Sequence, residues 1–144
     1  MALPNPYQSY RRMAAQTATP GQLVLMLFDG AINFLERAAK GFELEDPLEF
    51  NATINNNILK AQAIINELNA SLDMEAGGEL AANLRRLYEY MDYRLTESNR
   101  TKTPEGLHEV IKRLGVIRDA WAEMIRRQNQ SQETASPALA SMMA

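Results

Sequence analysis

Glu105-Gly106-Leu107-His108 sets a carboxylate and an imidazole three residues apart. On a helix both fall on one face, as in the bundles that hold paired metal ions with carboxylates and histidines. A complete site of that kind needs two such motifs and two further inward glutamates. The chain has one histidine and no cysteine, so the set cannot be completed. His108 also falls in what reads as the first turn of a helix, near solvent, and is expected to be a solvated histidine. Without cysteine there is no disulfide or thiolate metal site, and most nucleophile–base pairs are missing. Gly77-Gly78 reads as a turn rather than a phosphate loop, and Asp29-Gly30 lies inside a helical pattern. These residues point away from catalysis, from a metal and from any cofactor, and toward a protein that is not an enzyme.

The elements that carry them are helices. Thr19-Pro20-Gly21-Gln22 places a capping hydroxyl, a proline at the first helical position and a glutamine at the third. Proline lacks an N–H that the first turn leaves unpaired anyway, and the cap oxygen accepts an orphan amide. Asp46-Pro47-Leu48-Glu49 repeats the scheme, and Thr103-Pro104-Glu105 repeats most of it. The spacing predicts helices over about 20–40, 47–72, 77–99 and 104–128. Their apolar stripes are Val24, Leu27, Ala31, Leu35 and Ala38; Ile54, Ile58, Ala61, Ile65, Leu68 and Leu72; Leu80, Leu84, Leu87, Met91 and Leu95; and Leu107, Val110, Leu114, Ile117, Trp121 and Met124. Gly115, inside the fourth, is expected to permit a close helix contact. No stretch alternates long enough for a sheet.

The fold class expected is all-α: an antiparallel up-down-up-down four-helix bundle over residues 19–130. Residues 1–18 lack a clean period and read as an N-terminal flap segment. Residues 131–144 are small, polar and proline-containing, and read as a flexible, disordered tail.

With 144 residues, 46% of them hydrophobic, the chain suits one domain with a real core. No apolar run reaches the roughly 18 residues of a membrane span, and "MALPNPYQSYRR" carries no signal core. A cytosolic protein without membrane insertion is expected. The N-x-S/T matches at Asn51, Asn69, Asn99 and Asn129 are then chance patterns. The net charge is −3 and the basic pairs are interspersed with acids. That describes a solvated helix surface, not a nucleic-acid footprint.

One helix has more apolar residues than a bundle core can use. Successive residues turn about 100°, so around an Ala31-centred core face Leu25, Met26 and Ile32 spread over most of the remaining circumference. They read as surface awaiting cover, some of it from Tyr7 and Tyr10 and the rest from a partner. On the second helix Leu59 and Ala63 lie opposite the core stripe, with Asn56 and Asn66 at the margins. Exposed helix-forming alanines account for much of that face, but it also makes a trough edged by amides. Tyr90 and Tyr93 point away from the core side of the third helix.

The stretches "NPYQSY", "TATPGQLVLMLFDGA", "KAQAIINELNASLD", "GGELAANLRRLYEYMDYRL" and "IRDAWAEM" together resemble the flagellar secretion chaperone family, FliS, in the family's own order. They cover about residues 5–125. The resemblance implies a cytosolic export chaperone that binds the disordered C-terminal segment of flagellin, prevents premature polymerisation and delivers it, once loaded, to the flagellar type III export gate. It implies that the client wraps the bundle, and that an N-terminal segment carrying Tyr7 and Tyr10 occupies part of the client's path. Some relatives also bind the flagellar anti-sigma factor. The flagellin-binding set expected here is Tyr7, Tyr10, Leu25, Met26, Ile32, Asn56, Leu59, Ala63, Asn66, Tyr90 and Tyr93, on a monomer or weak homodimer. The alternative, from a different class, is a self-assembling bundle that buries the same surface against a second copy.

Overall fold

The computed structural model describes residues 19–143, with side chains described over 19–131. The flap expected over 1–18, with Tyr7 and Tyr10, lies outside the described residues.

Four helices follow one another: α1 Pro20–Gly41, α2 Pro47–Ala70, α3 Met74–Thr101 and α4 Glu105–Met143. The start of α1 is a capping box. Gln22 N donates to Thr19 Oγ1 and Thr19 N donates to Gln22 Oε1, both at 3.2 Å. Asp46 Oδ2 caps α2 through the Glu49 amide at 3.0 Å. α3 opens earlier than the glycine pair implies, because Asp73 Oδ1 accepts from the amides of Glu75 and Ala76. The turn expected at Gly77-Gly78 survives as a break inside that helix: Gly78 stands at φ 52°, ψ −128°, a conformation that only glycine adopts without strain. α4 begins one residue later than its Thr-Pro signal suggests. Thr103 spends its carbonyl on the Ser98 hydroxyl, and Pro104 O accepts the first helical amide, from His108.

α4 also runs past 128 and carries helical backbone through the stretch read as a tail. No glycine follows Gly115, and the first proline after Pro104 is Pro137. Nothing between them forces a stop.

Each helix packs against its chain neighbour, and α1 packs against α4, while the diagonal pairs make no close approach. Contacts pair rising residue numbers on one helix with falling numbers on the next. Asn55 meets Asn99, Gln62 meets Asp92 and Thr96, and Asn69 meets Arg85. Glu109 of α4 meets Arg94, and Arg118 and Trp121 of α4 meet Asp29 and Gly21 of α1.

The core is the set of inward stripes: Leu27, Phe28, Ala31, Phe34, Leu35 and Ala38 of α1, and Ile54, Ile58, Ala61, Ile64, Ile65 and Leu68 of α2. Tyr88, Met91 and Leu95 of α3 meet Leu107, Val110 and Leu114 of α4. Burial pushes the Tyr88 hydroxyl up to about 12. Three expectations are corrected. Leu80 is 68% exposed and Met124 39% exposed, so neither belongs to the core. A Cβ on Gly115 would meet nothing within 4 Å, so its small size serves no close helix contact.

Candidate functional site

Glu105 and His108 are both exposed at the start of α4. Among the described residues no group of three or more His, Cys, Asp or Glu side chains converges on a metal-sized point. No described helix is long and apolar enough to cross a membrane. The described residues of the expected set lie on helix surfaces.

The outer face of α2 is the first. Asn56, Leu59, Ala63 and Asn66 are all exposed and lie a half-turn from the buried Ile54–Ile58–Ile65 stripe. Leu59 is 52% exposed. One edge of this face is stiffened by an amide seam to α3. Gln62 Nε2 donates to Thr96 Oγ1 at 2.9 Å and to Asp92 Oδ1 at 3.1 Å. Asn99 Nδ2 donates to Asn55 Oδ1 at 2.9 Å, and Arg85 Nε to Asn69 Oδ1 at 3.3 Å. A shallow groove of about 440 Å³ follows that seam, with Leu59 on its wall. The seam was missed in the sequence, though its signal is there. Asn55, Gln62 and Asn69 recur every seven residues beside the apolar stripe.

The face of α1 is less open than its composition implies. Leu25, Met26 and Ile32 are each half-buried, and Ile32 packs against the core cluster. The adjoining α1–α4 seam is held by Arg118 Nε on Asp29 Oδ1 at 2.7 Å and by Trp121 Nε1 on the Gly21 carbonyl at 2.8 Å.

Tyr90 and Tyr93 part company. Tyr93 is 63% exposed and stands on the solvent side of α3. Tyr90 turns to α4, where its hydroxyl donates to Glu109 Oε2 at 2.7 Å. Arg94 Nε and Arg113 Nε each reach the same carboxylate at 2.9 Å, and the Arg113 guanidinium lies over the Tyr90 ring. The Tyr90 hydrogen bond and the two guanidiniums hold the Glu109 carboxyl down to about 2, and the same hydrogen bond raises the Tyr90 hydroxyl.

The described members of the expected set therefore split among three surfaces: α1, the α2 face, and α3 beside α4. The most exposed apolar side chains of the α3–α4 side are Leu80, which the sequence placed in the core stripe, and Val116, which lies off the stripe of α4 and is 66% exposed; neither is in the expected set.

A family model described as flagellar protein FliS matches residues 3–139. The chain is 38% identical to the flagellar secretion chaperone FliS of Bacillus subtilis (strain 168) over 130 residues, which is 90% of this chain and 93% of that protein. It is 39% identical to the FliS of Salmonella typhimurium over 111 residues, 77% of this chain and 80% of that one. Against the FliS of Vibrio cholerae serotype O1 the identity is 31% over 122 residues, 81% of this chain and 86% of that protein. With a family match spanning nearly its whole length and relatives aligned over most of theirs, the chain belongs to the flagellar protein FliS family.

Proposed function

We propose that this protein is a non-enzymatic export chaperone of the flagellar system, working in the cytosol. It binds the disordered C-terminal segment of flagellin, keeps it from polymerising and delivers it to the type III export gate. Family membership supports the chaperone role. The observation that carries the binding reading is the outward α2 face, where Leu59 is 52% exposed beside Ala63 and the exposed amides Asn56 and Asn66.

Energetics require more than one such face. Ordering a disordered client costs about 1–2 kcal/mol per residue in backbone entropy. Fully burying a leucine or isoleucine returns about 1.5–3 kcal/mol. A client held this way needs anchors spread along its length, and the proposed surface extends from α2 to Tyr90 and Tyr93 and to Leu25, Met26 and Ile32. The N-terminal segment, through Tyr7 and Tyr10, acts as a flap over part of that path, and lowers apparent affinity by the fraction of time it is closed. The flagellar anti-sigma factor is the second client proposed for the same surface.

A pull-down with full-length flagellin and with flagellin lacking its C-terminal segment tests this. Capture of the first and loss of the second is expected. Equal capture of both would remove the proposed client segment. Concentration-dependent sedimentation that flagellin leaves unchanged would favour the self-assembling bundle instead. Tyr10→Ala is expected to change flagellin affinity more than the melting temperature.

A further inference from the structure

The seam between α3 and α4 is closed at one end and open at the other. Near the end of α3 it is shut by polar contacts: Tyr90, Arg94 and Arg113 on Glu109, and the Ser98 hydroxyl on the Thr103 carbonyl. Toward the start of α3 it opens. A cavity of about 470 Å³ lies there, walled by Leu87, Val116 and Ile117 with Glu109, Lys112 and Arg113 at its rim. Val116, Ala120 and Met124 then follow at intervals of four along α4, all exposed, a stripe about 12 Å long. Leu80, two turns from Leu87 on the same face of α3, flanks it at 68% exposure.

The charge along this groove runs against that of the whole chain, which is −3. Glu109 already accepts from a tyrosine and two arginines. Lys112 is exposed and makes no ion pair among the described residues. Farther along, Arg126 and Arg127 share the single carboxylate of Glu123. Arg94, Arg113 and Lys112 thus stand about Glu109 at one end and Arg126 and Arg127 about Glu123 at the other, while Asp119 between them is paired with Arg118. A second copy docking here about a two-fold axis through the middle of the groove would set Lys112 and Arg113 against the Arg126 and Arg127 end of its partner, and like charges disfavour that.

We propose that the open half of the α3–α4 seam is a docking groove for an acidic amphipathic helix of another protein. Its apolar residues, spaced at three and four, seat on Leu80, Leu87, Val116 and Met124, while acids on its flank face Lys112 and Arg113. This surface is separate from the α2 face and does not depend on the identity of the client proposed for it.

Two synthetic helical peptides with identical leucine faces, one flanked by glutamates and one by lysines, test the groove by fluorescence anisotropy with the full chain. The glutamate peptide is expected to bind about tenfold tighter, with the gap narrowing as salt rises. Val116→Glu is expected to weaken it about tenfold and Lys112→Glu about threefold, with unchanged unfolding midpoints, and Leu59→Glu not at all. Equal affinity for the two peptides, no binding of either, or full binding by Val116→Glu would overturn the proposal. So would self-association of the protein that Val116→Glu abolishes, since a second copy would then own the groove.

Discussion

The indole Nε1–H of Trp121 donates to the carbonyl oxygen of Gly21 at 2.8 Å, pinning the middle of α4 to the first turn of α1. Trp121 is half-buried and packs against the core from outside it. It is therefore a clasp more than a core residue. Trp121→Phe, which keeps most of the ring contact and drops the donor, is expected to cost about 1 kcal/mol. Trp121→Ala is expected to cost about 2–3 kcal/mol, less than a fully buried tryptophan would. Because Trp121 is the chain's one tryptophan, unfolding of both variants is best followed in urea by far-ultraviolet circular dichroism.

Two glycines are expected to answer alanine in opposite ways. Gly78 has a positive φ of 52°, so Gly78→Ala forces a strained backbone and is expected to destabilise by about 1–2 kcal/mol. Gly115 is helical, with open space around a built Cβ, so Gly115→Ala is expected to stabilise by about 0.5–1 kcal/mol. Thermal melts of the two variants beside the parent decide both signs.

Glu109 gives the fold a predictable response to acid. Its carboxyl is held at about 2 in the folded chain, against 4.5 for the free group. The folded state thus binds fewer protons than the unfolded one between those values. Its contribution is fully present above about pH 4.5 and is lost as pH falls toward 2. Urea midpoints measured from pH 6 down to pH 2 are expected to fall less steeply in Glu109→Gln than in the parent. The difference between the two should shrink in high salt, because the group is partly open to solvent.

The helices were legible because their signals are local. Thr19 with Gln22 and Asp46 with Glu49 form caps within three residues of each other, and the structure has both. The buried stripes of α1 and α2 were legible for the same reason, since periodicity identifies a face. Periodicity does not say how far a face extends, and there the reading went astray. Leu80 and Met124 match their stripes but lie beyond the ends of the core cluster, and they stay exposed. Ile64 sits off the predicted line, yet is buried on the flank of the α2 stripe. Ile32 looked like surplus because one helix was weighed alone, whereas it joins the packing around the core. The Tyr90–Arg94–Glu109–Arg113 cluster spans two helices, and only their pairing brings it together.

The central claim is that a folded bundle with an apolar outer face lets a disordered client complete its packing. Isothermal titration of the full chain with the flagellin C-terminal segment, repeated at several temperatures, tests it most directly, because burial of apolar surface gives a negative heat-capacity change. The account predicts binding with a clearly negative heat-capacity change, and predicts that Leu59→Glu weakens binding about tenfold while its unfolding midpoint stays unchanged. No heat of binding, or binding with no heat-capacity change and full affinity in Leu59→Glu, would contradict it.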